Sequence, residues 1–385
     1  MNILGFNPSH HGSACLIQDG KIKYFVEEER VTRKKYDAYP FKSIIDIIQN
    51  HTIDYIAWAT PSIKYPSSST EGRSYWQTLI NKFSPNYKSL DLSHVHHLSH
   101  CAHTFYNSGF ENAIGIVIDG LGSQIKDWGQ ETESIFQCSY PANFNLIYKN
   151  IVSPIPLDKT IYNKNNTNNE NVTTNINLSR VYETVTMHLG WSRNEAGKVM
   201  GLAPYGKSNQ TFPPFFSNKT GNPNIFYLDE DFKHPYLSKY SETFIDKENT
   251  PQLKLQNDPR EWHYDESKIT DLEKDLAWQV QNDTQQIVGD YIEEAIEETG
   301  LNQVCCAGGY FLNCVTNYYL LKRFPDVEFY FEPISNDAGT AIGAAKLLWH
   351  DLTQDTIIRP FKSLYLGKQY SKEELIEGIK KYINE

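Results

Sequence analysis

The chain has 385 residues, 39% hydrophobic and 13% aromatic with 25 Tyr and 19 Phe, so it can bury a sizeable core and is not a disordered polymer. Its formal charge of −11 argues against tight non-specific nucleic-acid binding, which needs a surplus of Lys and Arg, while leaving room for a local basic groove. No basic-then-apolar leader opens the sequence, no run of about 18 apolar residues crosses it, and its six cysteines form no CxxC pair, so the expectation is a cytoplasmic chain with reduced thiols and no membrane span.

In chain order, residues 1–8 (MNILGFNP) read as a strand ending in turn residues. Residues 13–30 (SACLIQDGKIKYFVEEER) read as a β-hairpin turning at Asp19-Gly20. A helix is expected at 43–49 and a strand at 53–60. Residues 96–110 (HHLSHCAHTFYNSGF) suit a helix ended by Gly109, and 113–123 (AIGIVIDGLGS) a buried strand running into a glycine turn. The Asn-rich segment 159–178 reads as a mobile surface insertion. Residues 179–191 are helical, and 207–265 are loop-like in composition. From 270 to 299 a long helix places Leu272, Leu276, Val280, Ile287, Tyr291 and Ala295 near one face and stops at Gly300. Residues 303–324 then read strand, Gly-Gly turn, helix, and 327–349 repeat that plan. The pattern predicts an α/β fold with ligands at strand ends, in two lobes of about 1–150 and 180–350.

Three glycine turns stand at such strand ends: 7–14 (NPSHHGSA), 118–123 (IDGLGS, with Gly120 and Gly122) and 335–343 (SNDAGTAIG, with Asn336). Glycine there lets backbone N–H groups approach an anion closely. His96 and His100 are four apart, so on a helix both rings leave one face and can share a cation. Asp119 ends a buried apolar strand, where an unpaired charge is costly, and Asp337 sits in a glycine turn. Two imidazoles and two carboxylates make a mixed nitrogen and oxygen set suited to Fe2+, Mn2+ or Zn2+.

The three turns resemble the phosphate and adenosine loops of the sugar kinase–actin superfamily, whose duplicated ribonuclease H-like lobes enclose ATP. More specific stretches resemble the nodulation- and antibiotic-type O-carbamoyltransferases. These are HHLSHCAH (96–103), NEAGKVMGLAPYG (194–206), GGYFLNCVTN (308–317), ISNDAGTAIGAA (334–345) and EEERVTRKKYDAYP (27–40). The resemblance runs nearly continuously over 1–349 and implies a domain similar to the tRNA threonylcarbamoyl transferase. It implies transfer of a carbamoyl group from carbamoyl-adenylate, made from carbamoyl phosphate and ATP, to an acceptor hydroxyl. His96, His100, Asp119 and Asp337 are then the metal set, and His10 and Lys35 contact the carbamoyl group. Gly308, Gly309 and Asn313 form the nucleotide turn, and Lys198 contacts phosphate or backbone. Lys35 or the metal would meet the oxyanion, while His10 is either a carbamoyl contact or the general base.

The family's HDAS is HHGS here, so His11 replaces Asp, and Tyr36 replaces the His of KHD. Residues 351–385 resemble only the lead-in to the C-terminal activating domain, which is expected on a separate chain or beyond this one, ahead of the alternative that the transferring lobes accept another donor. The expected acceptor is a sugar, a natural product or a hydroxymethylated pyrimidine of DNA, bound by 125–175 and 207–265 with Trp128, Phe136, Tyr140, Tyr227 or Trp262. An ATP-dependent small-molecule kinase and a non-catalytic nucleotide-binding module remain the alternatives.

Overall fold

The computed structural model describes residues 1–59, 70–92, 94–125, 129–152, 170–173, 177–210, 212, 214–216, 269–367 and 369–383. Strands β1 (Asn2–Asn7), β2 (Ser13–Gln18) and β3 (Lys21–Glu27) form an antiparallel meander. The tight link is Asp19-Gly20, both at positive φ (49° and 76°), as a two-residue hairpin turn needs. Strands β4 (Tyr55–Trp58) and β5 (Lys88–Asp91) add in parallel, giving the order β3-β2-β1-β4-β5.

The second sheet holds β6 (Asn112–Ile118), β7 (Gln124–Ile125), β8 (Gly129–Ser139), β9 (Asn143–Val152), β10 (Glu170–Thr173), β11 (Gln303–Ala307) and β12 (Glu328–Phe331). Its order is β10-β9-β8-β6-β11-β12, with β7 paired to β8. The run β9-β8-β6-β11-β12 repeats the first sheet in both order and direction: three antiparallel strands, then two parallel ones beside the first. This duplication is the two-lobed, sugar kinase–actin-like α/β architecture expected from the glycine turns.

The helices are α1 (Glu28–Thr32), α2 (Phe41–Ile48), α3 (Thr70–Asn81), α4 (His96–Ser108), α5 (Leu178–His188), α6 (Ala196–Leu202), α7 (Asp271–Thr299), α8 (Cys314–Arg323), α9 (Thr340–Thr353) and α10 (Lys372–Ile383). Three apolar cores alternate with the sheets. Leu4, Phe6, Leu16 and Trp58 on one face of the first sheet pack with Ile44 and Ile47 of α2 and Trp76 of α3. Its other face, with Ile3 and Ile17, meets α4 and α9, which also cover Ala113, Val117 and Cys305 of the second sheet. The far face of that sheet, with Ile114, Ile116 and Cys306, packs on α5 and α7. Central strands covered on both sides read as continuous apolar runs, as 113–118 does.

The chain changes sheet between Asp91 and Asn112 and returns to the first sheet with α9. Helix α9 is held by two close approaches. A Cβ on Gly5 of β1 would lie 2.0 Å from the Ala341 carbonyl oxygen, and one on Gly343 would lie 1.8 Å from that of Ser99 in α4.

Two local expectations change. Leu272 is 39% exposed, because the face of α7 that packs begins a turn later, where Asp275 bonds to the Lys207 N–H and Leu276 is buried. The insertion 159–178 contains an ordered strand: Glu170–Thr173 pairs in parallel with β9, and Asn177 caps α5 by accepting from the Arg180 N–H; the rest of that insertion lies outside the described residues. Of the cysteines, five are buried as small apolar residues while Cys314 is exposed, and all six are free thiols. Most of 207–265 lies outside the described residues, as do Trp128, Tyr227 and Trp262. Among the described residues no helix is long and apolar enough to cross a membrane.

Candidate metal centre

The repeated topology brings the C-terminal ends of β1 and β6 to corresponding places in their sheets, and the two glycine turns that follow them carry chemistry from each side. Helix α4 starts beside them. Its first N–H groups have no partner within the helix and are met instead by the segment after β6: the His96 N–H donates to Ser123 Oγ (2.9 Å) and the His97 N–H to Glu131 Oε1 (3.0 Å). A carboxylate at a helix N-terminus also suits the helix dipole. This seat aims His96 and His100, one turn apart, into the same buried spot, with their Nε2 atoms 3.2 Å from each other.

Asp119 follows β6 directly. Its N–H donates to the Thr132 carbonyl (3.0 Å), its carbonyl accepts from Asn177 Nδ2 (3.2 Å), and its Oδ1 accepts from the Gly309 N–H (3.1 Å). Asp337 opens the short turn before α9, where Asn336 Oδ1 accepts from the Ala338 N–H (3.0 Å) and the Asp337 carbonyl accepts from Asn7 Nδ2 (3.0 Å) and Thr340 Oγ1 (2.6 Å). Four side chains from three separate segments therefore converge. His96 Nε2 lies 3.6 Å from Asp119 Oδ2 and 3.6 Å from Asp337 Oδ1, and His100 Nε2 lies 3.5 Å from Asp337 Oδ1.

These separations are long for hydrogen bonds, which fall at about 2.7–3.2 Å. They fit ligands of one ion: metal–ligand bonds of about 2.0–2.1 Å at tetrahedral angles set neighbouring donors roughly 3.4 Å apart. The charge balance agrees. All four side chains are buried, and among the described residues no Lys or Arg pairs with either carboxylate. Burial pushes both acids up, and Asp337 adds to this at Asp119, yet the imidazoles outweigh these effects and hold both carboxyls below the usual carboxylate range. Burial pulls His96 down, and the Asp337 and Asp119 carboxylates overcome it to bring the ring to about 10. Two acids waiting on positive charge and two ring nitrogens make a site that fits a divalent cation.

The other expected residues are distributed around this centre. His10 reaches it from the turn after β1, with Nδ1 3.7 Å from Asp337 Oδ2. Gly308 and Gly309 form the turn after β11; Gly308 has φ 96°, and a Cβ there would lie 2.2 Å from the Ile118 carbonyl oxygen, so only glycine fits. Gly122 abuts Glu131 and His97, and Gly120 lies near Glu183. Asn313 caps α8 through the Thr316 N–H (3.0 Å) and donates to Gln281 (2.8 Å), a structural seat for the turn. Lys35 is exposed, with its ammonium 4.9 Å from the Tyr36 ring centre, and Lys198 is exposed in a 2.7 Å ion pair with Glu195.

Sequence reasoning treated His11 and Tyr36 only as departures from a motif. The structure brings their rings together beside His10: the His10 and His11 rings are 4.3 Å apart and tilted at 54°, and the His11 and Tyr36 rings meet edge-on at 5.5 Å. Burial, followed by the neighbouring His10, pulls His11 below its ordinary value. Glu131 and Ser123, which seat α4, left no signal of their own beyond their places after a glycine turn.

A duplicated α/β fold with a buried histidine–carboxylate cluster at paired strand ends defines the class as a two-lobed α/β scaffold whose four converging side chains could hold a metal ion. The chain belongs to the family described as Carbamoyltransferase N-terminus, matched over residues 70–346. It is 28% identical to the uncharacterized protein sll1178 of Synechocystis sp. over 425 residues, covering 98% of this chain and 62% of that protein. It is 25% identical to the nodulation protein NolNO of Sinorhizobium fredii over 395 residues, covering 96% of this chain and 50% of that protein. The chain thus spans about half to three-fifths of the length of these relatives. Among solved structures, a full-length HypF in its phosphate- and nucleotide-bound form has a TM-score of 0.47 at 14% identity, over 91% of this chain and 56% of that one. The strand order, rather than this likeness, defines the fold.

Proposed function

We propose that the chain is the transferring part of an O-carbamoyltransferase, moving a carbamoyl group from carbamoyl-adenylate, made from carbamoyl phosphate and ATP, to the hydroxyl of an acceptor. The observation that carries this reading is the convergence of His96, His100, Asp119 and Asp337 at the strand ends of a chain in the carbamoyltransferase family. These four would hold Fe2+, Mn2+ or Zn2+, and such an ion, when bound, supplies a Lewis acid toward a carbonyl or phosphoryl oxygen.

The chain's own groups would do the rest. The Gly308–Gly309 turn, free of side chains, lets the nucleotide approach the backbone, with Asn313 and Asn336 holding the turns in shape. Gly120 and Gly122 serve the same purpose after β6. Lys198 reaches a phosphate by exchanging its Glu195 partner for it. Lys35, at the mouth beside Tyr36, is the cation for the oxyanion that forms as the carbamoyl carbonyl is attacked. His10 contacts the carbamoyl group or accepts the hydroxyl's proton. The acceptor is a sugar, natural product or hydroxymethylated pyrimidine, and a separate carbamoyl-adenylate-forming domain or subunit supplies the donor in the cytoplasm.

The test is direct. Protein, Fe2+, supplied carbamoyl-adenylate (or ATP, carbamoyl phosphate and an added activating domain) and a panel of hydroxylated acceptors are incubated and followed by mass spectrometry. A gain of about 43 Da on an acceptor, lost in Asp119→Asn, is expected. A phosphate-sized gain instead makes the protein a kinase, and no acceptor product of either kind makes it a binding module.

A further inference from the structure

We propose a second divalent-cation position, formed by His10, His11 and Asp337 and sharing Asp337 with the first, so that the centre is binuclear. It rests on the reading above only for the first ion. The two oxygens of Asp337 are divided between two histidine pairs. Oδ1 faces His96 Nε2 (3.6 Å) and His100 Nε2 (3.5 Å), while Oδ2 faces His10 Nδ1 (3.7 Å). A carboxylate so placed bridges two ions, and paired sites of this kind hold them about 3.5–4 Å apart. His10, His11 and Asp337 each offer one donor atom, all within 4.8 Å of one another, as the first four residues do.

Two further observations point to a ligand here. The His10–Asp337 separation is too long for a hydrogen bond, as in the first set. The same turn also holds three buried polar atoms without a hydrogen-bond partner among the described residues: Asn7 Oδ1, Ser9 Oγ and His11 Nδ1. Buried polar atoms are nearly always bonded, so three orphans in five residues mark a place that something else fills. Two imidazoles and one carboxylate select a first-row divalent cation over Mg2+ or Ca2+. With the His10 side chain 48% exposed, the remaining coordination positions open outward, toward oxygen ligands from water or substrate. Ligation through His10 and the base role for that ring exclude each other.

The experiment uses the full chain stripped of metal and dialysed against Mn2+, with bound metal counted by mass spectrometry and the spin state read by electron paramagnetic resonance. Two Mn2+ per chain with an exchange-coupled spectrum are expected for the wild type. His11→Gln should retain one Mn2+ per chain with the ordinary six-line spectrum, and His100→Ala should lose the coupled signal as well. A single uncoupled Mn2+ in the wild type, or an unchanged count in both His11→Gln and His10→Gln, overturns the proposal. Carbamoyl transfer by a one-metal protein would leave the functional reading standing without this site. Two coupled ions and no carbamoyl product would do the reverse.

Discussion

Replacing Glu131 by Gln tests how α4, the helix of His96 and His100, is seated. Glu131 is fully buried, accepts from the His97 N–H (3.0 Å) and the Ser123 N–H (3.2 Å), and pairs with Lys149 Nζ at 2.6 Å. Burial pushes its carboxyl up, but His97, Lys149 and these bonds carry it down from 4.5 to about 2. His97 is itself held at about 4, chiefly by burial, so near neutrality Lys149 is the charge that matters. A depression from 4.5 to about 2, at 1.36 kcal/mol per unit, corresponds to at most about 3 kcal/mol of stability at pH 7, because His97, the largest lowering influence, is uncharged there. That is the low end of the cost of breaking a buried pair by removing one partner. Because the folded-state value is the lower one, the contribution is complete above about pH 4.5 and declines as pH falls toward 2. Linkage puts the loss at roughly 0.8 kcal/mol by pH 4 and roughly 2 kcal/mol by pH 3. Urea unfolding of wild type and Glu131→Gln across pH 3–7 measures it. A wild-type advantage below about 1 kcal/mol at pH 7, or one that does not shrink on acidification, refutes the reasoning.

Gly343→Ala should cost at least about 1–3 kcal/mol, since a Cβ 1.8 Å from the Ser99 carbonyl oxygen forces α4 and α9 apart. Because those helices carry His100 and adjoin Asp337, isothermal titration should also show weaker metal binding. Added Fe2+ or Zn2+ should raise the unfolding free energy of the metal-free wild type by about 4 kcal/mol at a thousandfold excess over Kd, and His100→Ala should abolish that rise. Of the six cysteines, only Cys314 is exposed, so a thiol reagent should count one group per native chain and six after denaturation.

Much of the fold was legible locally. The Asp19-Gly20 hairpin, the helix 96–108 closed by Gly109 at φ 85°, and the long helix 271–299 between Thr270 and Gly300 all carry their signals within a few residues. So does the His96–His100 pair, because helical spacing alone puts both rings on one face. The hairpin β8–β9 left no readable pattern. Glu131, Thr132, Glu133 and Ser134 are consecutive, polar and buried, and apart from the Thr132–Glu133 bond they draw on partners outside the segment such as Lys149, Asn150 and the Leu178 N–H. Alternation of apolar and polar residues cannot reveal a strand whose polar side chains are paired inside the protein.

The sequence by itself determined most of the elements outside β8–β10, the helical histidine pair and the two acids worth pairing with it, since each depends on near neighbours or on the cost of burying a charge. Only the tertiary structure decided that both acids reach that pair, that His10 and His11 approach the second oxygen of Asp337, and that Glu131 holds α4 in place. Those meetings join residues up to 330 positions apart, as in the bond from Asn7 to the Asp337 carbonyl, and strand pairing and helix packing rather than local propensity set such distances.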